Sequence, residues 1–255
     1  MSGSAIEKTY ALFVSPATRK LAADLKSAGA NVFEFPPMKT EKLVLDETAT
    51  DALRNLEQFD WLILPDFLAA DFFLEHLEES EIDLFELDFL RTCAVGEAVA
   101  DRLRFVQMHA DVIPATIDSE QVFSAVADYA GKDNLEKLKF LLPERISSKN
   151  NLTNELRNAG ATVFELPVYA AKIINKLEII RLKTLLENGA VDEFIFTAPA
   201  DFIWLDYYFN NRNLNDVFAE IKISVTGGTT FQAARERQLE AVSLFRLEKI
   251  DKVNG

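Results

Sequence analysis

Residues able to do chemistry are concentrated in the second half of the chain. Thr226-Gly227-Gly228-Thr229-Thr230 places two glycines and three hydroxyls in a row. If a helix begins there, its first backbone N–H groups have no partner within the helix. With glycine leaving them open, they suit a carboxylate or a phosphate. The competing use is an ordinary threonine cap. Thr197-Ala198-Pro199-Ala200-Asp201 has the same two readings: a second anion loop at a helix start, or Asp201 capping the next helix. Tyr169 follows a short apolar run and offers a phenolic proton for a leaving group, or simply a ring for packing.

Other candidates read as structural. The acidic stretch Glu75–Asp83 lacks ligand spacing and reads as a solvated helix end and loop. Phe72, Phe73, Tyr207 and Tyr208, like Trp61 and Trp204, fit the packed face of a helix or strand better than a stacking platform for a flat ligand. Arg19, Lys20, Arg145, Lys149 and Lys172 lie near the same loops and read as surface cations.

Composition excludes several classes of function. The 255 residues are 49% hydrophobic and 27% charged, which fits a packed globular chain. A net charge of −14 repels phosphate backbones and anionic lipid, so nucleic-acid and membrane-surface partners are not expected. The single cysteine, Cys93, excludes an internal disulfide and a cysteine-rich metal site. With only His76 and His109 available, no metal centre or histidine-dependent triad is expected. The nine glycines form neither G-x-G-x-x-G nor a Walker A loop, and H-E-x-x-H and G-x-S-x-G are absent. No apolar run is long enough for a membrane helix, and the first residues lack the apolar core of a signal peptide, so the expected compartment is the cytoplasm.

The elements that must position these residues emerge from a self-comparison. Leu21–Thr40 (LAADLKSAGANVFEFPPMKT) and Leu152–Ala171 (LTNELRNAGATVFELPVYAA) share nine of 20 residues without a gap, 131 positions apart. In each copy an apolar helical face ends at a glycine, Gly29 or Gly160. A short strand follows and is expected to stop at Pro36 or Pro167. Apolar strands precede both, at Tyr10–Val14 and Leu138–Leu142, giving two parallel strand-helix-strand units. A second unit also recurs. Trp61–Leu64 and Glu193–Phe196 lead into aromatic helices, and the glycine turns Cys93–Leu103 and Ser224–Ala234 match, again 131 residues apart. The pattern predicts two α/β domains, each with a parallel sheet, with extended crossing segments after the prolines, 37–40 and 168–171.

Seven segments taken in order resemble the uroporphyrinogen-III synthase family from end to end: LAADLKSAGANVFEFP, FDWLIL, AVGEAVADRLR, HADVIP, LTNELRNAGATVFELPVY, FIFTAP and TGGTTFQAARERQLEAV. The resemblance implies two flavodoxin-like domains joined by a two-strand crossing. One is discontinuous, 1–37 with 171–255, and the other is 38–170. The implied reaction cyclises hydroxymethylbilane with loss of water and inversion of the terminal pyrrole ring, without a cofactor. Tyr169 matches the family tyrosine that resembles a proton donor to the leaving hydroxyl. Thr197, Gly227, Gly228, Thr229 and Thr230 match its substrate loops. A monomer is implied, with hydroxymethylbilane synthase as the candidate protein partner. Departures cluster in the first copy and the crossing. Val14-Ser15-Pro16 lacks the family's arginine, Leu64-Pro65-Asp66 replaces a hydroxyl-bearing turn, and Val99, Ala171 and Ala198 stand where the family has hydroxyls. These losses keep a second reading open, a non-catalytic relative that binds a tetrapyrrole or another small polyanion.

Overall fold

The computed structural model describes residues 8–148, 151–209 and 213–244. In chain order the strands are β1 (Thr9–Phe13), β2 (Asn31–Phe35), β3 (Lys39–Lys42), β4 (Trp61–Leu64), β5 (Arg91–Ala94), β6 (Lys139–Arg145), β7 (Thr162–Lys172), β8 (Glu193–Phe196), β9 (Lys222–Val225) and β10 (Ala241–Ser243). The helices are α1 (Pro16–Ser27), α2 (Glu47–Arg54), α3 (Phe67–Glu79), α4 (Glu97–Phe105), α5 (Ser119–Ala130), α6 (Asn151–Asn158), α7 (Lys176–Glu187), α8 (Pro199–Tyr208), α9 (Leu214–Val217) and α10 (Gly228–Glu236). The chain divides into two compact units, Met1–Lys39 with Lys172–Gly255, and Thr40–Ala171.

The discontinuous unit carries the sheet β10-β9-β8-β1-β2, with every pair parallel. The order of its strands along this part of the chain is therefore 2-1-3-4-5, the doubly wound order. The continuous unit carries β3-β7-β6-β4-β5, and the pairs β7-β6, β6-β4 and β4-β5 are parallel. A parallel bridge from Cys93 to Val112 continues this sheet beyond β5. Taking β6 as the first strand gives the same 2-1-3-4-5 order, with Val112 at the position of β10. Both units thus contain one topology, entered at different points by the chain. In each, the strand order reverses at one place: between β1 and β8, and between β6 and β4. Ligands of open parallel sheets bind at such reversals, beyond the carboxyl ends of the strands.

Strands covered on both faces read as continuous apolar runs. All four residues of β4 are buried, Trp61 and Ile63 on one face and Leu62 and Leu64 on the other. The first face packs against α5 and α6 through Val122, Val126, Leu152 and Leu156. The second packs against α2, α3 and α4 through Leu53, Phe73, Leu77 and Leu103. In the discontinuous unit, Phe13, Phe194, Phe196 and Phe202 form stacked and tilted ring pairs with centroids 4.4 to 5.5 Å apart. Such pairs add about 0.5–1.5 kcal/mol each to area burial.

The repeated glycines end both helices in the same way. Gly29 N–H donates to Lys26 O and Ala30 N–H to Leu25 O; Gly160 and Ala161 donate to Arg157 and Leu156. Pro167 departs from expectation. It does not end its strand, because β7 runs on to Lys172. A register shift opposite Glu144 and Arg145 absorbs the missing donor, which is where a sheet tolerates proline. The strand therefore carries Tyr169 inside the sheet rather than in a loop.

Gly96 and Gly227 precede α4 and α10 with nearly equal torsions, φ 95° and ψ 159° against φ 83° and ψ 154°. That region is open essentially to glycine alone. Gly228, one residue later, starts the helix with open space around the position of a Cβ. Gly96→Ala and Gly227→Ala are each expected to cost about 1–3 kcal/mol in denaturant unfolding, whereas Gly228→Ala leaves stability unchanged or raises it.

Candidate functional site

Most parallel strands here hand over to a helix at their carboxyl ends, and each helix start exposes backbone donors that need acceptors. Most are satisfied by the chain itself. Ser15 accepts from Thr18 N–H at α1, Asp46 from Ala49 at α2, Asp66 from Ala69 at α3, Asp118 from Gln121 at α5, and Asn175 from Leu177 at α7. At α8 the acceptor lies inside the helix. Asp201, the third helical residue, takes the N–H groups of Thr197 (2.8 Å) and Ala198 (3.1 Å) on one carboxylate oxygen. Among the described helix starts, those of α4 and α10 stand apart: glycine precedes each, and no side chain caps them.

In the discontinuous unit these features adjoin at one sheet edge. β8 and β9 pair through Phe196 and Val225, and Thr226 N–H donates to Phe196 O at 3.0 Å. Thr197 and the Thr226–Thr230 segment are therefore neighbouring loops. Gly228 is exposed, Thr229 is half-buried and Thr230 is 2% exposed. The positive end of the α10 dipole and its uncapped amides face outward there, which favours an anion. Thr197 retains its half-buried hydroxyl, but its N–H is engaged by Asp201. Asp201 thus serves α8, though by reaching back from the third helical position rather than from the cap position the sequence suggested. In the continuous unit the equivalent of Thr230 is Val99, also 2% exposed. The same backbone turn exists there without the hydroxyl.

Tyr169 lies in the continuous unit. It is 1% exposed, stacked on Phe72 with centroids 5.3 Å apart and planes 16° apart. Its hydroxyl donates to the Asp66 carboxylate, 3.3 Å to the nearer oxygen. Asp66 precedes α3 and also accepts from Ala69 N–H at 2.8 Å. Arg145 is the register partner of Tyr169, and Ile146 N–H donates to Tyr169 O at 2.8 Å. The group sits where β6 and β4 reverse the strand order, the position such sheets use for ligands. Burial pushes the Asp66 carboxyl above the ordinary aspartate value, against the pull of its hydrogen bonds and of Arg145. Burial, then the neighbouring Asp66 charge, raises the Tyr169 hydroxyl well above the ordinary phenol value. In sequence Asp66 reads as a lost hydroxyl and Arg145 as a surface cation; in the structure both lie beside Tyr169. The available signal was Asp66 standing directly before a helix that follows a buried strand.

The remaining candidates fall into structural places. Lys42 pairs with Glu75 at 3.7 Å and with Glu79, so the acidic helix end is partly neutralised. His76 is buried with Nε2 3.3 Å from Val168 O, and burial holds its pKa below the usual value. Phe73 and Tyr208 are core, and Trp204 packs edge-on against Phe13. Lys20 pairs with Asp24. Lys149 lies outside the described residues. Among the described residues no group of three or more His, Cys, Asp or Glu is arranged to hold a metal ion, and no helix is long and apolar enough to cross a membrane.

Burial of Asp201 raises its pKa from 3.8 to about 6, its two N–H donors opposing the shift. A carboxyl whose pKa is raised on folding contributes stability below its unfolded pKa and loses it as pH climbs to the folded one. Asp201→Asn keeps an oxygen for Thr197 and Ala198 but has no proton to lose. The stability of Asp201→Asn relative to the parent is therefore expected to improve by more than ~1 kcal/mol between pH 5 and pH 7.5, measured by urea unfolding. A constant difference across that range would contradict the buried-carboxylate assignment.

Comparison with known proteins bears on this arrangement. The family model described as HEM4, uroporphyrinogen-III synthase HemD, matches residues 19–244. A uroporphyrinogen-III synthase of Synechococcus elongatus is 28% identical over 155 residues, 59% of this chain and 55% of that protein. The chain thus aligns with little more than half the length of this curated relative. Among solved structures, Thermus thermophilus uroporphyrinogen III synthase superposes with a TM-score of 0.63 at 21% identity, covering 92% of both chains. A second crystal form of the Thermus thermophilus enzyme gives 0.63 at 20% identity, covering 92% of this chain and 91% of that one. At these identities the superpositions establish a shared fold, and the match across residues 19–244 establishes more: the chain belongs to the uroporphyrinogen-III synthase family.

Proposed function

We propose that the protein cyclises hydroxymethylbilane to uroporphyrinogen III. The observation that carries this reading is the family match over residues 19–244. The uncapped α10 start beside Thr197 supports it chemically. The substrate is a chain of four pyrroles bearing carboxylates, and backbone donors at a helix start hold such groups without a cofactor or metal. In this reading Gly227, Gly228, Thr229 and Thr230 bind substrate carboxylates through amides and hydroxyls. Thr197 contributes its hydroxyl, since its amide is engaged. Tyr169 gives a proton to the terminal hydroxymethyl oxygen, which leaves as water, and the pyrrole nitrogen supplies the electron pair that forms the azafulvene cation. The terminal ring then inverts and the macrocycle closes with loss of a proton. Each unit acts as one domain, 1–37 with 171–255 and 38–170. The protein acts as a cytoplasmic monomer that receives its substrate from hydroxymethylbilane synthase.

A binding role without catalysis is the second reading. Val99 and the engagement of the Thr197 and Ala198 amides by Asp201 favour it, because both remove ligand contacts. Freshly made hydroxymethylbilane separates the two. Dominant type III product is expected. Product of type I alone, at high protein concentration, would contradict the enzyme reading. Tyr169→Phe is expected to lower turnover about 10²-fold or more with little change in melting temperature. An unchanged rate would remove Tyr169 from the mechanism.

A further inference from the structure

Tyr169 is an awkward acid by itself. It is enclosed by Phe72 and the β-sheet, and its hydroxyl points at a carboxylate 3.3 Å away. If it gave up its proton beside an ionised Asp66, two negative charges would share one buried site, which strongly disfavours ionisation. Its O–H would also be committed to Asp66 rather than to a substrate. Both difficulties vanish if Asp66 carries a proton. The same oxygen–oxygen contact then runs the other way, with Asp66 donating and Tyr169 free to donate onward.

We propose that Asp66 is the proton source behind Tyr169, forming a two-step relay at the strand-order reversal of the continuous unit. This inference rests on the reading of Tyr169 as the donor to the leaving hydroxyl. The hydroxymethyl carbon–oxygen bond breaks and both its electrons leave with oxygen. That oxygen takes the Tyr169 proton and departs as water, while Tyr169 takes the Asp66 proton. Tyrosinate never accumulates, and the negative charge finishes on Asp66 as the pyrrole becomes a cation. Each new charge thus forms beside its opposite rather than alone, and their mutual attraction, with Arg145 beside the carboxylate, offsets part of the cost of creating them away from water.

Among the described residues, the charged groups that act on the pair are Arg145 and Glu144 from β6. Arg145 stabilises the carboxylate that the relay produces, and Glu144 opposes ionisation of Tyr169. Burial holds the Asp66 proton to higher pH than an ordinary aspartate would. Asp66 also caps α3, so a purely structural role must be separated from the relay. Asparagine does this, because it caps a helix as well as aspartate but carries no transferable proton.

The test is the pH dependence of type III product formation from hydroxymethylbilane by the full chain, Asp66→Asn, Tyr169→Phe and the double variant. The relay requires protonated Asp66, so parent turnover falls as pH rises through its titration. Asp66→Asn is expected to be about 10²-fold or more slower and to lose that fall, with an unchanged melting temperature. The double variant is expected to be no slower than the slower single one, as for residues acting as a unit. If Tyr169→Phe is slow but Asp66→Asn retains the parental rate and pH profile, the relay is wrong and Asp66 is only a cap. If Tyr169→Phe is itself as fast as the parent, or the parent forms no type III isomer, the reading of the site fails and the relay fails with it.

Discussion

A parallel strand that passes directly into a helix leaves a knot of backbone donors at its carboxyl end, and the way each knot is satisfied governs this molecule. Among the described residues, seven helix starts recruit a serine, aspartate or asparagine from their own chain. Where the start also lies deep among apolar side chains, the recruited group becomes a buried carboxylate whose charge is held against its solvation cost. Asp201, 3% exposed, is that case, and the half-buried Asp66 is held above its ordinary value in the same direction. Where glycine precedes α4 and α10, no side chain caps the helix.

The two units use this constraint differently. Both hold the same strand order and the same glycine turn, down to the torsions of Gly96 and Gly227. The discontinuous unit keeps hydroxyls at its open turn, with Thr229 and Thr230 beside Thr197. The continuous unit fills the equivalent position with Val99 and places its polar chemistry at the other end of the sheet edge. There β7 continues past Pro167 far enough to bring Tyr169 over Asp66. Units built on one plan thus differ in where their polar side chains stand: hydroxyls at the glycine turn in one, the Tyr169–Asp66 pair in the other.

Much of this was legible in the residues. The repeat fixed both strand-helix-strand units, and β4 and β8 occupy the expected apolar runs because a strand buried on both faces has no polar alternation to blur its limits. The open turn at Gly227 followed from two glycines ahead of two threonines. Other features depend on contacts far apart in sequence. Pro167 signals a strand end locally, but an extra residue of β7, Val168, shifts the register against β6 and lets the strand continue. Asp201 fits a cap position by local pattern, yet its oxygen turns back to Thr197 and Ala198. The bond from Tyr169 to Asp66 spans 103 residues, so no local pattern announces it. Asp66 looked like a lost hydroxyl because its partner was out of view.

Two carboxyls at helix starts hold their protons above the ordinary range, and the direct measurement is a carbon-detected NMR titration of the Asp66 and Asp201 side-chain carboxyls in the full chain. Both are expected to titrate above the ordinary aspartate value of about 3.9, Asp201 near 6. Titration of both at or below that ordinary value would show that neither site holds its proton as described, and the account of how this chain satisfies its helix starts would fail.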